Sequence, residues 1–174
     1  LTPHGKRKGE ILFQGVPIGE MSNREQSQRI GYVLQNPDNQ IVTDKVWHEL
    51  AFGLENMALP VQDIRRRVSE MASFFGMEEW FHKKTCQLSG GQKQMLNLAA
   101  VMAMDPKLLI LDEPTSALTF DEVESLFKIV EDLKQKGIGI IYITHRLAEV
   151  FQIATHVAIM RDGIITLKGR VADF

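Results

Sequence analysis

The sequence predicts an α/β fold in which an all-helical subdomain interrupts a lobe built on a parallel sheet. Three observations lead to this prediction. Short apolar runs rich in β-branched residues, which are typical of buried strands, occur on both sides of the middle of the chain. Segments with helical periodicity separate these runs, as in strand–helix–strand units with parallel strands. Between residues 43 and 103 the pattern is helical throughout, and no run there predicts a strand.

Apolar runs place the strands of this fold. Four runs predict buried strands, at residues 30–34, 108–111, 140–144 and 156–160. The Asp162-Gly163 pair between the last run and the apolar residues after it predicts a hairpin. A second hairpin is predicted near the start of the chain, from residues 11–15 and the residues around Ile18.

Helical periodicity predicts four longer helices. Their apolar faces carry Trp47, Leu50, Ala51 and Leu54; Ile64, Val68, Met71 and Phe75; Met95, Leu98, Ala99 and Met102; and Val123, Leu126, Phe127, Val130 and Leu133. Pro60 closes the first segment and Gly76 the second. The last helix is predicted over 122–136, with Thr119 and Glu122 as a capping pair and Gly137 at its end.

We therefore expect residues 1–174 to form a single domain. In this division, residues 1–42 and 104–174 form the α/β lobe and residues 43–103 form the helical subdomain. The length of 174 residues suits one domain with its own core, and the apolar fraction of 44% is ordinary for a globular protein. The net charge of −2 gives no support to nucleic acid as a partner.

The cysteine content and the length of the apolar stretches indicate the cellular compartment of the protein and how it could meet a membrane. Cys86 is the only cysteine, so the chain has no internal disulfide, as is typical of a reducing compartment. No apolar stretch approaches the ~18 residues that a membrane-spanning helix requires. We expect any contact with a membrane to pass through another protein.

The strongest chemical signal is a pair of carboxylates, Asp112 and Glu113, directly after a predicted buried strand. In open α/β sheets, ligands bind at the carboxyl ends of the strands. The first carboxylate can hold Mg²⁺ through water, and the second can orient or deprotonate the attacking water in phosphoryl transfer. Taken alone, the pair fits equally well with two solvated acids at a strand end.

Gln35 and His145 follow two other predicted strands, and parallel strands would bring them to the same edge of the sheet. His145 could donate a hydrogen bond to a γ-phosphate and to the attacking water, and the amide of Gln35 could ligate Mg²⁺ or a water. Each residue alone is more typical of a polar cap or an ordinary loop. Because Gln35, the carboxylate pair and His145 each follow a predicted strand of the same sheet, their combination favours a nucleotide site.

Residues 88–92, Leu-Ser-Gly-Gly-Gln, begin a predicted helix and are suited to an anion. Free backbone N–H groups and the helix dipole point outward at such an end. The candidate nucleotide-binding residues there are Ser89, Gly90, Gly91 and Gln92.

No complete G-x-x-x-x-G-K-[ST] loop accompanies this helix start. Residues 4–7, His-Gly-Lys-Arg, end in Arg where that motif needs Ser or Thr, and we interpret them as an exposed turn.

Taken together, these residues resemble the ATP-binding cassette (ABC) ATPases, a P-loop NTPase-like family. Residues 88–92 resemble the family signature, residues 108–113 its Walker B strand, Gln35 its Q-loop and His145 its switch histidine. The resemblance covers residues 9–174. It implies ATP and Mg²⁺ as cofactors and a second ABC ATPase subunit as partner, because the signature of one subunit closes over ATP held by the other.

The resemblance also implies a role for each candidate residue. Glu113 would polarise the attacking water and His145 would hold it against the γ-phosphate, which makes these two the catalytic residues. Asp112 and Gln35 would attend the Mg²⁺ as metal ligands and contact the nucleotide. The turn at residues 89–92 would clamp the partner's ATP.

A narrower resemblance is visible at residues 35–42 and 46–53. These segments are similar to ATPase subunits of energy-coupling-factor transporters, which import vitamins and transition metals such as cobalt or nickel. In such ATPases, the segment after the Q-loop contacts a transmembrane subunit. The resemblance therefore implies an ATPase that is cytoplasmic, peripheral on the inner face of the cell membrane, and that powers an importer.

Three departures from the family pattern have consequences. Thr119 stands where the D-loop normally has Asp, and Met95 stands where the signature helix usually has Arg. The Walker A loop is missing, so we expect a segment of about forty residues, the N-terminal part of the fold, to precede Leu1. We expect the chain as given to be inactive alone. The alternative is a non-hydrolytic module that only donates its signature to a composite site.

Overall fold

A computed structural model describes residues 9–174, and the turn predicted at residues 4–7 lies outside this range. The strands are β1 Leu12–Phe13, β2 Val16–Pro17, β3 Ile30–Val33, β4 Leu108–Asp112, β5 Gly139–Ile143, β6 His156–Arg161 and β7 Ile164–Arg170. The helices are α1 Asn23–Arg29, α2 Val46–Asn56, α3 Val61–Phe74, α4 Gly90–Ala103, α5 Phe120–Gln135 and α6 Leu147–Ile153.

The central sheet is parallel and has the strand order β3-β4-β5. Val33 is paired with Leu111 across the first strand pair, and Asp112 with Ile143 across the second. The three strands therefore end at one edge of the sheet, as the sequence predicts for a parallel α/β fold. Leu109 and Leu111 of β4 are fully buried, because this strand lies between two others and under helices.

The middle of the chain is helical, as predicted. In residues 43–103 the structure has no strand, and its single β-bridge joins Lys45 to Lys84. Helices α2, α3 and α4 share one apolar core. Helix α4 serves two cores, since Leu96 faces the helical core and Leu98 faces the core under the sheet. The bounds of the two subdomains stay a prediction.

Burial corrects two of the strand predictions. Residues 140–144 and 156–160 were expected to be buried, but β5 alternates between half-buried and exposed residues, and β6 is mostly exposed. Strand β5 lies at an edge of the three-stranded sheet, and β6 pairs with β7 in a separate two-stranded antiparallel sheet. An apolar run indicates a strand, but its burial depends on which elements cover it.

Turns and caps follow the sequence closely. Asp162 and Gly163 both have positive φ, 51° and 76°, as a two-residue hairpin turn requires, and they join β6 to β7. The hairpin predicted near residue 11 is formed by β1 and β2. Helix α5 begins two residues earlier and ends one residue earlier than predicted, at Phe120 and Gln135.

Two short helices, α1 and α6, were not predicted. Each has seven residues, too few for a clear apolar face. The start of α1 does carry a signal, because Ser22 and Glu25 form a reciprocal capping box. No helix within residues 9–174 combines the length and the apolar character needed to cross a bilayer.

Candidate functional site

The carboxyl ends of the three parallel strands bring the predicted polar residues to one edge of the sheet. Gln35 follows β3, Glu113 follows β4, and His145 follows β5 by two residues. Asp112 is the last residue of β4. A sheet edge of this kind is where open α/β folds place their ligands, because strand ends leave backbone and side-chain groups directed outward.

Glu113 and His145 contact each other directly. Nδ1 of His145 lies 2.8 Å from Oε1 of Glu113, and the side chains are 75% and 18% exposed, respectively. Glu113 has a φ of 46°, a left-handed conformation that is costly for a residue with a Cβ. Its backbone N–H donates to the carbonyl of Ile143 at 2.9 Å, which holds this conformation in place. A strained, half-buried carboxylate is thereby presented at the strand edge.

Asp112 is paired with Tyr32, a residue that sequence reasoning missed. The hydroxyl of Tyr32 donates to Oδ2 of Asp112 at 3.1 Å. Burial, and next the hydrogen bond to the carboxylate, raise the pKa of Tyr32 above its ordinary value, so the phenol keeps its proton and acts as a donor. Tyr32 of β3 is paired with Ile110 of β4, so its side chain lies on the same face of the sheet as Asp112, two residues further along β4. Only the register of β3 on β4 reveals this contact.

The donor set at this edge fits Mg²⁺ only as a shared site. Asp112 contributes a carboxylate and Gln35 a neutral amide oxygen, both hard oxygen ligands. Within residues 9–174 no group of three or more His, Cys, Asp or Glu side chains could enclose a metal ion. Mg²⁺ commonly binds through one or two protein oxygens together with phosphates and waters, and the residues present agree with that mode.

Helix α6 carries a buried carboxylate, Glu149, that sequence reasoning also missed. Its Oε1 accepts from the hydroxyl of Thr115 at 2.8 Å. Its Oε2 accepts from the hydroxyls of Tyr142 at 2.9 Å and Thr144 at 3.1 Å. Burial, followed by the hydrogen bond to Glu149, strongly raises the pKa of Tyr142. Helix α6 thus fixes the strand end that precedes His145 to the segment that follows Glu113.

Helix α4 holds the loop around Gln35, residues 34–38. Nε2 of Gln94 donates to the carbonyl of Leu34 at 3.2 Å, and Nδ2 of Asn97 donates to the carbonyl of Pro37 at 3.1 Å. The ammonium group of Lys93 lies 2.6 Å from Oδ1 of Asp38. Residues 93 and 94 lie four and three positions before residue 97, so the three side chains leave α4 on the same side and anchor the loop together.

Two atoms of this anchor lack a partner. Oε1 of Gln94 and Oδ1 of Asn97 are buried and accept no hydrogen bond among the described residues. A buried acceptor without a partner is destabilising. The contact between α4 and the Gln35 loop is therefore polar and incompletely satisfied.

The turn at residues 89–92 forms the start of α4. Oγ of Ser89 accepts from the backbone N–H of Gln92 at 3.1 Å, and Oε1 of Gln92 accepts from the N–H of Ser89 at 3.0 Å. These two side chains are therefore occupied in a reciprocal capping box. The N–H groups of the first turn lie at the positively polarised end of a 14-residue helix. Gly90 is exposed, whereas Gly91 is buried.

The structure brings some predicted site residues together and leaves others apart. Glu113 contacts His145, and the carbonyl of Gln35 accepts from the hydroxyl of Ser116 at 3.3 Å. Within residues 9–174, no hydrogen bond joins the turn at residues 89–92 to the Glu113–His145 pair. The chain thus presents two separate polar surfaces, one at the sheet edge and one at the start of α4.

Comparison with known proteins identifies what this arrangement resembles. A family model described as ABC transporter matches residues 2–116. A Bacillus anthracis protein described as an ABC transporter ATP-binding protein is 43% identical over 170 residues, which cover 97% of this chain and 31% of that protein. The energy-coupling factor transporter ATP-binding protein EcfA1 of Methanospirillum hungatei is 34% identical over 166 residues, covering 95% of this chain and 60% of that protein.

A solved structure shares the fold. CbiO1 from Clostridium perfringens, described as part of the ABC transporter complex CbiONQ, superposes with a TM-score of 0.85 at 38% identity. The match covers 95% of this chain and 67% of that chain. The chain spans about a third of the length of the Bacillus relative and three fifths of EcfA1.

Proposed function

Because this chain belongs to the ABC transporter family, we propose that it is the ATP-hydrolysing subunit of a membrane importer of the energy-coupling-factor type, which takes up metal ions or vitamins. The observation that carries the ATPase proposal is the Glu113–His145 pair at the end of β4 and β5. The importer type is supported by the similarity to EcfA1 and to CbiO1.

In this proposal Glu113 and His145 share the attacking water. A carboxylate accepts hydrogen bonds, so Nδ1 of His145 would donate to Glu113 and leave Nε2 to contact the attacking water. In this role Nε2 holds the attacking water against the γ-phosphate through a hydrogen bond. The carboxylate orients and polarises the same water, so catalysis is positioning together with electrostatic stabilisation.

Mg²⁺ and ATP complete the site in this proposal. Asp112, with Tyr32 fixing one of its oxygens, and Gln35 are the residues that would hold the metal. When bound, Mg²⁺ neutralises the charge on the β- and γ-phosphate oxygens. The N–H groups of Gly90 and Gly91, in the turn capped by Ser89 and Gln92, would bind the phosphates of ATP held by a second ATPase subunit.

We place the chain at the inner face of the cell membrane, bound to a transmembrane subunit. The surface that supports this lies after Gln35, where Val42 and Trp47 are large apolar residues exposed to solvent. Exposed apolar side chains here would suit contact with another protein if they form one patch. The net charge of −2 gives no support to nucleic acid as a partner.

The test uses the full-length protein assembled with its ATPase partner. Glu113→Gln keeps the size of the side chain and removes its charge. Steady-state hydrolysis should fall by about 100-fold or more, as expected for loss of a general base, while ATP binding persists and an ATP-bound dimer accumulates. His145→Ala should lower hydrolysis in the same direction.

The matched control is Glu124→Gln, an exposed glutamate on α5 outside the site. It should hydrolyse ATP at the wild-type rate. If Glu113→Gln turned over ATP as fast as this control, the catalytic assignment would be wrong. Solute uptake by vesicles carrying the whole transporter, with cobalt, nickel and a vitamin offered separately, tests the importer type.

A further inference from the structure

The start of α4 is packed against the start of α5 through two residues. Gly91 is buried, and a Cβ placed on it would overlap both carboxylate oxygens and the carboxyl carbon of Glu122. The neighbouring Gly90 approaches Ala117, whose Cβ would lie 3.5 Å from a Cβ built there. A side chain at position 91 and a carboxylate at position 122 therefore compete for one space.

The carboxylate of Glu122 is held where it is. Its Oε2 accepts from the backbone N–H of Thr119 at 2.8 Å and from the hydroxyl of Thr119 at 2.9 Å. Moving the carboxylate aside would break both bonds at the start of α5, so the flexibility of a glutamate is not available here. Its charge also lies beside the positively polarised end of α4, which favours the contact.

Thr119 itself ends a segment with fixed geometry. The N–H of Ser116 donates to the carbonyl of Glu113 at 3.1 Å, and that of Leu118 donates to the carbonyl of Thr115 at 3.2 Å, so two turns follow each other. The hydroxyl of Thr115 is bound by the buried Glu149. Consecutive hydrogen-bonded turns therefore occupy the chain from Glu113 to Glu122, which packs against Gly91.

We propose that Glu122 is a positioning residue for the turn at residues 89–92. Held by Thr119, its carboxylate sets the orientation of the first N–H groups of α4 relative to Glu113, and it touches no nucleotide itself. Thr119 has a defined task in this arrangement, as the donor that fixes Glu122. The consequence for ATP rests on the function proposed above, whereas the packing between Gly91 and Glu122 does not.

The experiment is a double-mutant cycle in the full-length protein assembled with its ATPase partner. The variants are Gly91→Ala, Glu122→Ala, the two combined, and Glu122→Gln as the conservative substitution. Thermal midpoints of all variants report the packing. KM and kcat for ATP report the position of the turn, because a clamp that binds substrate and transition state alike changes KM more than kcat.

The expected results are non-additive. Gly91→Ala should lower the thermal midpoint because its methyl group displaces the Glu122 carboxylate, and Glu122→Ala should lower it through the lost cap. The combined variant should be no less stable than Glu122→Ala alone, since the space is then open. Glu122→Ala should raise KM for ATP about tenfold with little change in kcat, and Glu122→Gln should restore KM.

Three outcomes would overturn the proposal. These are additive losses of stability in the combined variant, a wild-type KM for Glu122→Ala, and a Glu122→Gln variant as impaired as Glu122→Ala. A wild-type protein without any ATPase activity would overturn the proposed function instead. The thermal cycle would still decide whether Glu122 holds Gly91, so the two failures are distinguishable.

Discussion

The two sides of the strand edge are stabilised by different kinds of contact. On the Gln35 side, the amides of Gln94 and Asn97 and the Lys93–Asp38 ion pair hold the loop from α4, and each amide leaves one buried oxygen unpartnered. On the His145 side, the buried carboxylate of Glu149 receives hydroxyl donors on both of its oxygens. Helix α4 holds the Gln35 side, and helix α6 holds the His145 side.

This difference indicates which side of the strand edge can move at the lower cost in free energy. A satisfied buried carboxylate with several donors is costly to disturb, since removing it leaves each donor without a partner. The two amide contacts on the Gln35 side lose less when the loop moves, because their unpartnered buried oxygens can then reach water. We infer that the Gln35 loop is the adjustable side of the edge and that the His145 side is the fixed side.

The largest expected effect comes from removing the centre of the fixed side. Glu149→Ala leaves the hydroxyls of Thr115, Tyr142 and Thr144 without their acceptor and also removes the longer contact of Glu149 with Arg146. At roughly 1 kcal/mol for each lost bond, the free energy of unfolding should fall by about 3 kcal/mol. Urea denaturation of the full-length protein, followed by tryptophan fluorescence, measures this loss.

Glu149→Gln is the matched control for that change. It keeps an acceptor oxygen and the side-chain volume, so it should lose clearly less stability than Glu149→Ala. Equal losses for the two variants would show that charge, and not the number of hydrogen bonds, stabilises this side.

A pH dependence follows from the same cluster. Tyr142 has a raised pKa in the folded protein, so it keeps its proton there while the unfolded chain loses it near pH 10. The stabilisation that Tyr142 gives to the folded protein is complete below about pH 10 and is lost as the pH rises further. The slope is at most about 1.4 kcal/mol per pH unit, reduced by the solvent that still reaches the ring.

Tyr142→Phe isolates this contribution, because it removes the titrating group and keeps the ring. Between pH 10 and 11.5, the variant should lose stability less steeply than the wild type, as measured by urea midpoints at each pH. Parallel curves for the two proteins would contradict the assignment.

The smallest expected effect is on the adjustable side. Asn97→Ala removes the donor to the carbonyl of Pro37 but also removes the unpartnered Oδ1, so the two changes partly offset each other. We expect a loss of about 1 kcal/mol or less in the free energy of unfolding. Amide hydrogen exchange should rise at residues 36–42 and not at residues 143–149.

Asn39→Ala, an exposed asparagine in the same loop, is the control and should stay within about 0.5 kcal/mol of wild type. A loss for Asn97→Ala as large as that for Glu149→Ala would remove the distinction between the two sides.

Much of the fold follows from local sequence patterns. The parallel order of strand, helix and strand, the all-helical middle and the Asp162-Gly163 hairpin were predictable because each depends on periodicity or turn chemistry nearby. Burial of β5 and β6 was not, since it depends on what covers a strand. Helices α1 and α6 were missed because seven residues carry too few apolar positions to show a period.

The candidate site divides in the same way. Asp112, Glu113, His145 and Gln35 could be selected because a polar residue after an apolar run is visible in the chain itself. Tyr32, Glu149 and Asn97 could not, because they lie within strands or helices where a polar residue has many ordinary explanations. Their roles arise from contacts between residues far apart in sequence, such as the 80 positions between Tyr32 and Asp112.

The sequence by itself determined the class of fold, the edge where the polar residues gather and the helix start at residues 89–92, because periodicity, capping and strand ends are local properties of a chain. Only the tertiary structure decided which partners fix those residues. Register across β3, β4 and β5 pairs Tyr32 with Asp112, and the packing of α4 on α5 sets Gly91 against Glu122. Such pairings depend on the distances between elements, which no local pattern specifies.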